Sequence, residues 1–334
     1  DSAIQLGGDT WNYFTERARC HEKMKNPLKA LADYDQAVQL APKNPSVYHL
    51  RGNLLTRIGR AEKALLDFEQ ALELNAEHAS AFLGRGIAYI YLKDMKRAHQ
   101  NLTRAIQLDP EPKEAHEYRT HVNESLGRIA EAIEDLDRTI ELDPYEVNSH
   151  NRRGELYGRI GKYRRARIDF DRAIQLEPNH LKAYLGRGAV FLGLEDYPRA
   201  IQDLEFVLQQ SPNHQLALRN LSSVYYKAGQ YEQAYTACTR LIERNPNSTN
   251  YLNDRANTLV KLKRLPEAIN DFTRAIEIDP KCAIAYANRG ATFVYNQQPQ
   301  QAIKDFKVYL KLVAGQPRTP QTDQIETFMK QIND

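Results

Sequence analysis

Cysteine is scarce and scattered in this chain of 334 residues. Cys20, Cys238 and Cys282 are odd in number, far apart and without a Cys-x-x-Cys pair. That pattern offers neither a disulfide framework nor a cysteine zinc site, and it favours a reducing, cytoplasmic setting. No apolar run is long enough to cross a bilayer, so no membrane span is expected. The formal net charge is only +3. A nucleic-acid footprint needs clustered basic residues as well as sign, so no nucleic-acid partner is expected. The chain begins at Asp1 without methionine, so its start says nothing about targeting.

Catalytic signatures are missing too. His116, Glu117 and His121 imitate a zinc-protease helix, but histidines five residues apart do not share a helix face. Gly84-Arg85-Gly86 and Gly186-Arg187-Gly188 echo dinucleotide loops, yet they lie inside helical pattern with no strand before them. Cys238 reads as a packing residue. With no cofactor motif and no nucleophilic set in view, the expectation is a protein that is not an enzyme and carries no cofactor or metal.

What the sequence does have is a period. Pro42, Pro110, Pro144, Pro178, Pro212, Pro246 and Pro280 are spaced by 34 residues or twice that, with Ala76 and Ala314 in the remaining slots. Numbering that slot 32 starts repeats at Trp11, Pro45, Ala79, Lys113, Val147, Leu181, Gln215, Thr249 and Ala283. Position 20 is then alanine throughout, from Ala30 to Ala302. Position 24 is large in all but one repeat, as in Tyr34, Phe68, Leu102 and Phe170, and is Cys238 in the seventh. Position 8 is small, as in Ala18, Gly52, Gly86 and Gly188. A small residue facing a large one lets two helices approach and interlock. Gly59, Gly127, Gly161 and Gly229 share position 15, where a first helix should stop. The position-32 proline closes the second helix. Each period is therefore expected to be a helix–turn–helix.

These slots resemble the tetratricopeptide repeat (TPR) family, whose pattern is bulky at 4, small at 8, aromatic at 11, alanine at 20, aromatic at 24, alanine at 27 and proline at 32. The resemblance covers about nine-tenths of the chain. It implies an all-α, right-handed superhelical solenoid of nine hairpins at 11–44, 45–78, 79–112, 113–146, 147–180, 181–214, 215–248, 249–282 and 283–316, with the first helices lining a concave groove. Residues 317–334 are expected to form a capping helix, opened by Thr319-Pro320, with Ile325, Phe328, Met329 and Ile332 on one face. Residues 1–10, with Gly7-Gly8, read as a flexible lead-in.

Comparison between repeats isolates a charge pair. Position 7 is arginine everywhere except Leu221, and position 23 is aspartate everywhere except Asn101 and Ala237. Repeat 7 breaks both rules together. An Arg–Asp bridge between the two helices of each hairpin is expected; the alternative is an arginine ladder for acidic ligands.

In TPR proteins the groove is lined mainly by positions 2, 5, 6, 9, 12 and 13. Here repeats 7–9 place Arg219, Asn220, Lys227, Asn250, Asn253, Asn257, Lys261 and Asn288 in such slots. Amides can serve a peptide backbone and the basic residues a carboxylate, so these are the leading partner-binding candidates. Leu83, Ile87, Ile90 and Tyr91 in repeat 3, and Leu185 and Leu192 in repeat 6, form secondary apolar patches. Both repeats carry Leu-Gly-Arg-Gly, which fits either paired docking patches or shared ancestry alone. The lysine–asparagine set that clamps chaperone tails in some TPR proteins is absent, since Asp254 stands where asparagine belongs. Repeat 4 departs most, with Thr120, Asn123 and Thr139 in small or aromatic slots and acidic Glu114, Glu117 and Glu124 on groove positions. It reads as a solvated charge run, an acidic contact or a soft joint. The expected function is a scaffold or adaptor holding a protein or peptide segment in the groove. Alternatives are the regulatory arm of a larger enzyme and self-association through terminal repeats.

Overall fold

The computed structural model describes residues 10–333, with side chains as far as Lys330. Among these residues every helix is α and no strand occurs. In chain order the helices fall into pairs: α1 (Thr10–Lys23) with α2 (Pro27–Leu40), α3 (Pro45–Arg57) with α4 (Ala61–Leu74), and α5 (Ala79–Tyr91) with α6 (Met95–Leu108). Then come α7 (Lys113–Ser125) and α8 (Ile129–Leu142), α9 (Val147–Arg159) and α10 (Tyr163–Leu176), and α11 (Leu181–Gly193) and α12 (Tyr197–Gln210). The last pairs are α13 (Gln215–Lys227) and α14 (Tyr231–Arg244), α15 (Thr249–Lys261) and α16 (Leu265–Ile278), and α17 (Ala283–Tyr295) and α18 (Pro299–Leu312), followed by α19 (Pro320–Asn333). Thr10 opens α1; the rest of the expected lead-in lies outside the described residues. The chain divides into two compact units within α9, one ending at Leu156 and the other starting at Tyr157.

Each first helix stops at position 15 in the left-handed backbone region. Gly59 has φ of +77°, and Lys93, Glu195, Lys263 and Gln297 adopt values near +60° in the equivalent slot. The hydrogen bonds explain why. The Arg60 amide reaches back to the Leu55 carbonyl at 2.8 Å and the Gly59 amide to Thr56 at 3.1 Å, the reversal that satisfies the last carbonyls of a helix. Asp94 and Lys93 repeat it on Tyr89 and Ile90, both at 2.9 Å. Between repeats the turn is held by a side chain: Asp109, Asp143 and Asp279 accept from the amide two residues on, at 3.0–3.2 Å. Aspartate competes well for turn amides in this way.

The hairpin interior follows the alternation of small and large. A Cβ added at Gly52 would lie 2.9 Å from the ring of Phe68, and one at Gly86 2.8 Å from Leu102. Position 8 is small because position 24 of the same repeat fills the space. The ring also reaches forward: a Cβ at Gly84 would lie 2.5 Å from Phe68, and one at Gly186 2.4 Å from Phe170. The shared Leu-Gly-Arg-Gly thus has a packing cause. In both cases the preceding repeat carries phenylalanine at position 24, and its ring lies where a Cβ at position 6 would be.

The position-7 arginines are structural. Arg51, Arg187, Arg255 and Arg289 each hold the position-23 aspartate of their own repeat through two nitrogens at 2.7–2.9 Å. The third nitrogen turns to position 25 of the repeat before: Arg51 to Asp35 at 2.8 Å, Arg187 to Asp171 at 2.7 Å and Arg289 to Thr273 at 2.9 Å. One guanidinium therefore ties three helices. In repeat 3 Arg85 donates to Asn101 at 2.6 Å. In repeat 7 Leu221 and Ala237 are buried instead, and Glu205, in the position-25 slot that would meet an arginine there, accepts from the Tyr225 hydroxyl at 2.6 Å.

Repeat 4 internalises its polar exceptions. Asp135, 1% exposed, accepts from Arg119, from His116 at 3.1 Å and from Asn123 at 3.0 Å. Burial works to raise the Asp135 pKa, but the bonds from His116 and Arg119 outweigh it and hold the carboxyl below its ordinary value. Thr120 and Thr139 donate to the His116 and Asp135 carbonyls one turn back, so each buried hydroxyl is satisfied.

At the C-terminal end, Thr319 accepts from the Thr322 amide at 3.2 Å, capping α19. Ile325 is buried and Phe328 and Met329 pack on the same cluster as Phe306; the Phe306 and Phe328 rings meet edge-on at 5.6 Å. α19 thus covers a position-24 ring where another repeat's first helix would lie. The Ile332 side chain, expected on this face, lies outside the described ones. Within each unit the first helices touch one another: α5 meets α3 and α7, α11 meets α13, and α15 meets α17. Their layer is the inner one, because its members approach most closely.

Candidate partner-binding surfaces

In the unit ending at Leu156, two concavities of about 570 and 510 Å³ share Ile87, Tyr91, Glu114 and Tyr118, making one trough along α3, α5 and α7. Ile87 and Tyr91 line it as the sequence suggests, and Tyr91 is 60% exposed. Ile90 borders it while also packing, with Leu83, against the Ala98–Leu102–Val122 cluster. Much of the charge at the rim is neutralised in pairs: Arg57 with Glu22, Arg19 with Glu16 at 2.7 Å, and Arg152 with Glu124 at 2.5 Å. Glu117 lies 3.6 Å from Lys113, which also meets Asp143 at 3.1 Å. Glu114 has no side-chain partner among the described residues. Burial, then Glu114, Tyr91 and Glu117, push the Tyr118 hydroxyl pKa up. At the far end His49 lies 5.2 Å from His78, ring to ring, and 2.9 Å from the Asn53 amide. Burial, with the charges of His78 and Arg19, takes its pKa down to about 4.

The unit starting at Tyr157 treats its candidates unevenly. Arg219, Lys227, Asn250 and Lys261 are exposed and Asn220 and Asn257 half-buried. Asn257 and Lys227 line a smaller cavity of about 200 Å³ with Ser222, Cys238, Asp254 and Thr258. Asn253, expected in the groove, is 6% exposed and donates to the Thr249 carbonyl at 2.9 Å. It is a buried residue between repeats, because its slot faces the next hairpin near Cys282. Asn288 is overlain by α19, whose Gln321 reaches it at 3.5 Å. Leu185 and Leu192, expected as an exposed patch, pack against the core around Phe191, Leu204 and Leu221. The repeat-6 counterpart of the repeat-3 patch is thus largely absorbed into packing.

Tyr118 and His49 escape a slot-by-slot reading. Tyr118 occupies position 6, which is glycine in repeats 3 and 6. It packs partly against the Ala98–Leu102–Val122 cluster and also lines the trough.

Hairpins at a fixed 34-residue period, all but the seventh carrying a position-7 arginine, admit a direct comparison with known repeats. Models described as tetratricopeptide repeat match residues 12–44, 45–78, 85–147, 151–205 and 191–257, and a TPR repeat model matches 256–297. The chain belongs to the tetratricopeptide repeat family. Among solved structures, this TPR chain is similar to YrrB, described as a TPR protein with an unusual peptide-binding site: 24% identity, TM-score 0.53, covering 56% of this chain and 96% of that one. A tetratricopeptide repeat protein from Parabacteroides merdae matches with TM-score 0.57 at 17% identity, over 77% of this chain and 99% of its own. A chain of the APC/C hetero-tetramer Cut9–Hcn1 matches with TM-score 0.51 at 19% identity, over 80% of this chain and 52% of that one. At such identities the likeness is one of fold: an all-α repeat solenoid. No curated protein matches. No described helix is long and apolar enough to cross a membrane.

Proposed function

We propose that this TPR chain is a non-catalytic scaffold that holds an extended or helical segment of a protein partner along the inner layer of first helices. One observation carries the reading: Ile87, Tyr91 and Tyr118 line a continuous trough, with Tyr91 exposed and Ile87 and Tyr118 half-buried at its wall. Apolar surface rimmed by polar groups is the usual mark of an interaction site, and aromatic anchors in a concave face supply most of the affinity in such sites. YrrB, which shares the fold, has a peptide-binding site. The exposed basic and amide side chains of repeats 7–8 offer a second contact stretch.

Affinity capture from source lysate with mass spectrometry tests the reading. Tyr91→Ala/Tyr118→Ala is expected to lose the partner captured by the wild type. Arg219→Ala/Asn220→Ala/Asn257→Ala should weaken capture less. Circular dichroism checks that both variants fold. A partner held equally by wild type and both variants would overturn groove binding.

A further inference from the structure

The cavity of about 200 Å³ between α13, α14 and α15 exists because repeat 7 breaks the packing rule. Elsewhere the position-24 side chain projects into the hollow between two successive first helices, as Phe68 does beneath Gly84 and Phe170 beneath Gly186. In repeat 7 that side chain is Cys238, too short to fill the hollow, and position 6 of the next repeat is Asp254. The space an aromatic ring takes in other repeats is left open and given a carboxylate at its mouth.

Ser223 and Tyr226 line the mouth with hydroxyls that are free among the described residues, while the deeper wall is richer in acceptors. The Ser222 hydroxyl donates to the Arg219 carbonyl and the Thr258 hydroxyl to the Asp254 carbonyl, both at 2.8 Å. Their protons are committed, so toward the cavity they offer lone pairs. The Asp254 carboxylate has no hydrogen-bond or ion-pair partner among the described residues. Asp254 is exposed at the mouth; desolvation by the surrounding protein still raises its pKa, and Arg219 pulls it only part of the way back. Burial likewise pushes the Cys238 thiol up to about 12, so the floor stays uncharged at neutral pH. Asn257 adds an amide oxygen. Lys227 is exposed and also lines the mouth of the cavity. A hollow with acceptors in its wall and an unpaired, exposed carboxylate at its mouth is complementary to a donor-rich cation.

We propose that this cavity is a specificity pocket for one basic side chain, arginine or lysine, of a segment lying in the groove. The proposal rests on the groove being the partner surface, but it is tested without the partner. The probe is N-acetyl-arginine amide, followed by NMR shifts of the Ser222, Asn257 and Thr258 amides, with N-acetyl-citrulline amide as the neutral isostere. Wild type should bind the arginine probe at millimolar concentration and citrulline at least 10-fold more weakly. Asp254→Asn should weaken arginine binding at least 10-fold. Cys238→Leu, the residue repeats 3, 4 and 6 carry in that slot, should abolish it. Lys227→Met should strengthen it by removing a like charge at the mouth. Citrulline bound as well as arginine, arginine binding unchanged in Asp254→Asn, or no shifts in wild type at tens of millimolar would each overturn the pocket. Failure of partner capture with the probe still bound would count against the groove reading and leave the pocket standing.

Discussion

At the scale of single residues, the chain repeatedly buries charge in pairs. Asp203 illustrates the balance: burial raises its pKa, and the opposing bond from Arg187 does not fully offset that. Desolvating both charges consumes much of what pairing returns, so the clamp fixes geometry more than it adds stability. Repeat 7, with Leu221 and Ala237, shows the apolar substitute already in use. Asp203→Ala alone should therefore cost about 1–3 kcal/mol, since Arg187 loses two of its bonds and keeps the one to Asp171. Arg187→Leu/Asp203→Ala should restore stability to within about 1 kcal/mol of wild type. A double-mutant cycle by urea unfolding checks this, and additive losses would sink it. His49 adds a pH dependence. Its folded pKa, about 4, lies below the ordinary 6.5, so the unfolded chain binds the proton more readily. The stabilisation is complete above pH 6.5 and is lost as pH falls toward 4, by about 1–3 kcal/mol. His49→Gln should flatten the fall in melting temperature between pH 7 and pH 5. An unchanged slope would assign the loss to other groups.

At the scale of elements, the hairpin tip sets one backbone conformation that the sequence meets in two ways. Gly59, Gly127, Gly161 and Gly229 occupy the left-handed position without strain, whereas Lys93, Glu195 and Lys263 adopt it against the clash of their Cβ. Lys93→Gly should stabilise by about 0.5–1 kcal/mol, since relief of that clash exceeds the added unfolded-state entropy. Gly59→Ala should destabilise by about 1 kcal/mol. Thermal unfolding of the two variants reads both signs, and a destabilised Lys93→Gly would contradict the account. A Cβ at Gly59 meets nothing within 4 Å, so its effect isolates the backbone. α19 belongs to this scale too: it gives the Phe306 ring the cover that earlier rings receive from the next repeat.

At the scale of the whole molecule, stacking decides function by deciding what is left over. Alanines at position 20 and the side chains at position 24 are consumed in every repeat, and the inner layer of first helices is left to meet a partner. There the trough of the first unit is aromatic and aliphatic with acidic rim groups, while the second unit presents amides and bases. Truncating one groove tyrosine should weaken a partner seated in that trough by about 10-fold to 100-fold, the range for an aromatic anchor. Titration calorimetry of Tyr91→Ala with the captured partner measures it. A loss below 2-fold would move the anchor elsewhere.

The sequence by itself determined the period, the hairpin tips, the small-and-large alternation and the Arg–Asp clamp. Each depends on residues within one 34-residue copy, and repetition makes every copy a control for the others. Only the tertiary structure decided which groove slots are open. That choice depends on contacts between copies: the ring at position 24 against position 6 of the next repeat, and the third arginine nitrogen against position 25 of the one before. Hence Asn253 is buried, Asn288 is met by α19, Leu185 and Leu192 pack partly on the neighbouring core, Tyr118 is shared between packing and the trough, and a cavity opens above Cys238. Slot numbers record a residue's place on its own helix. Exposure depends on what the neighbouring repeat or the last helix packs against that place.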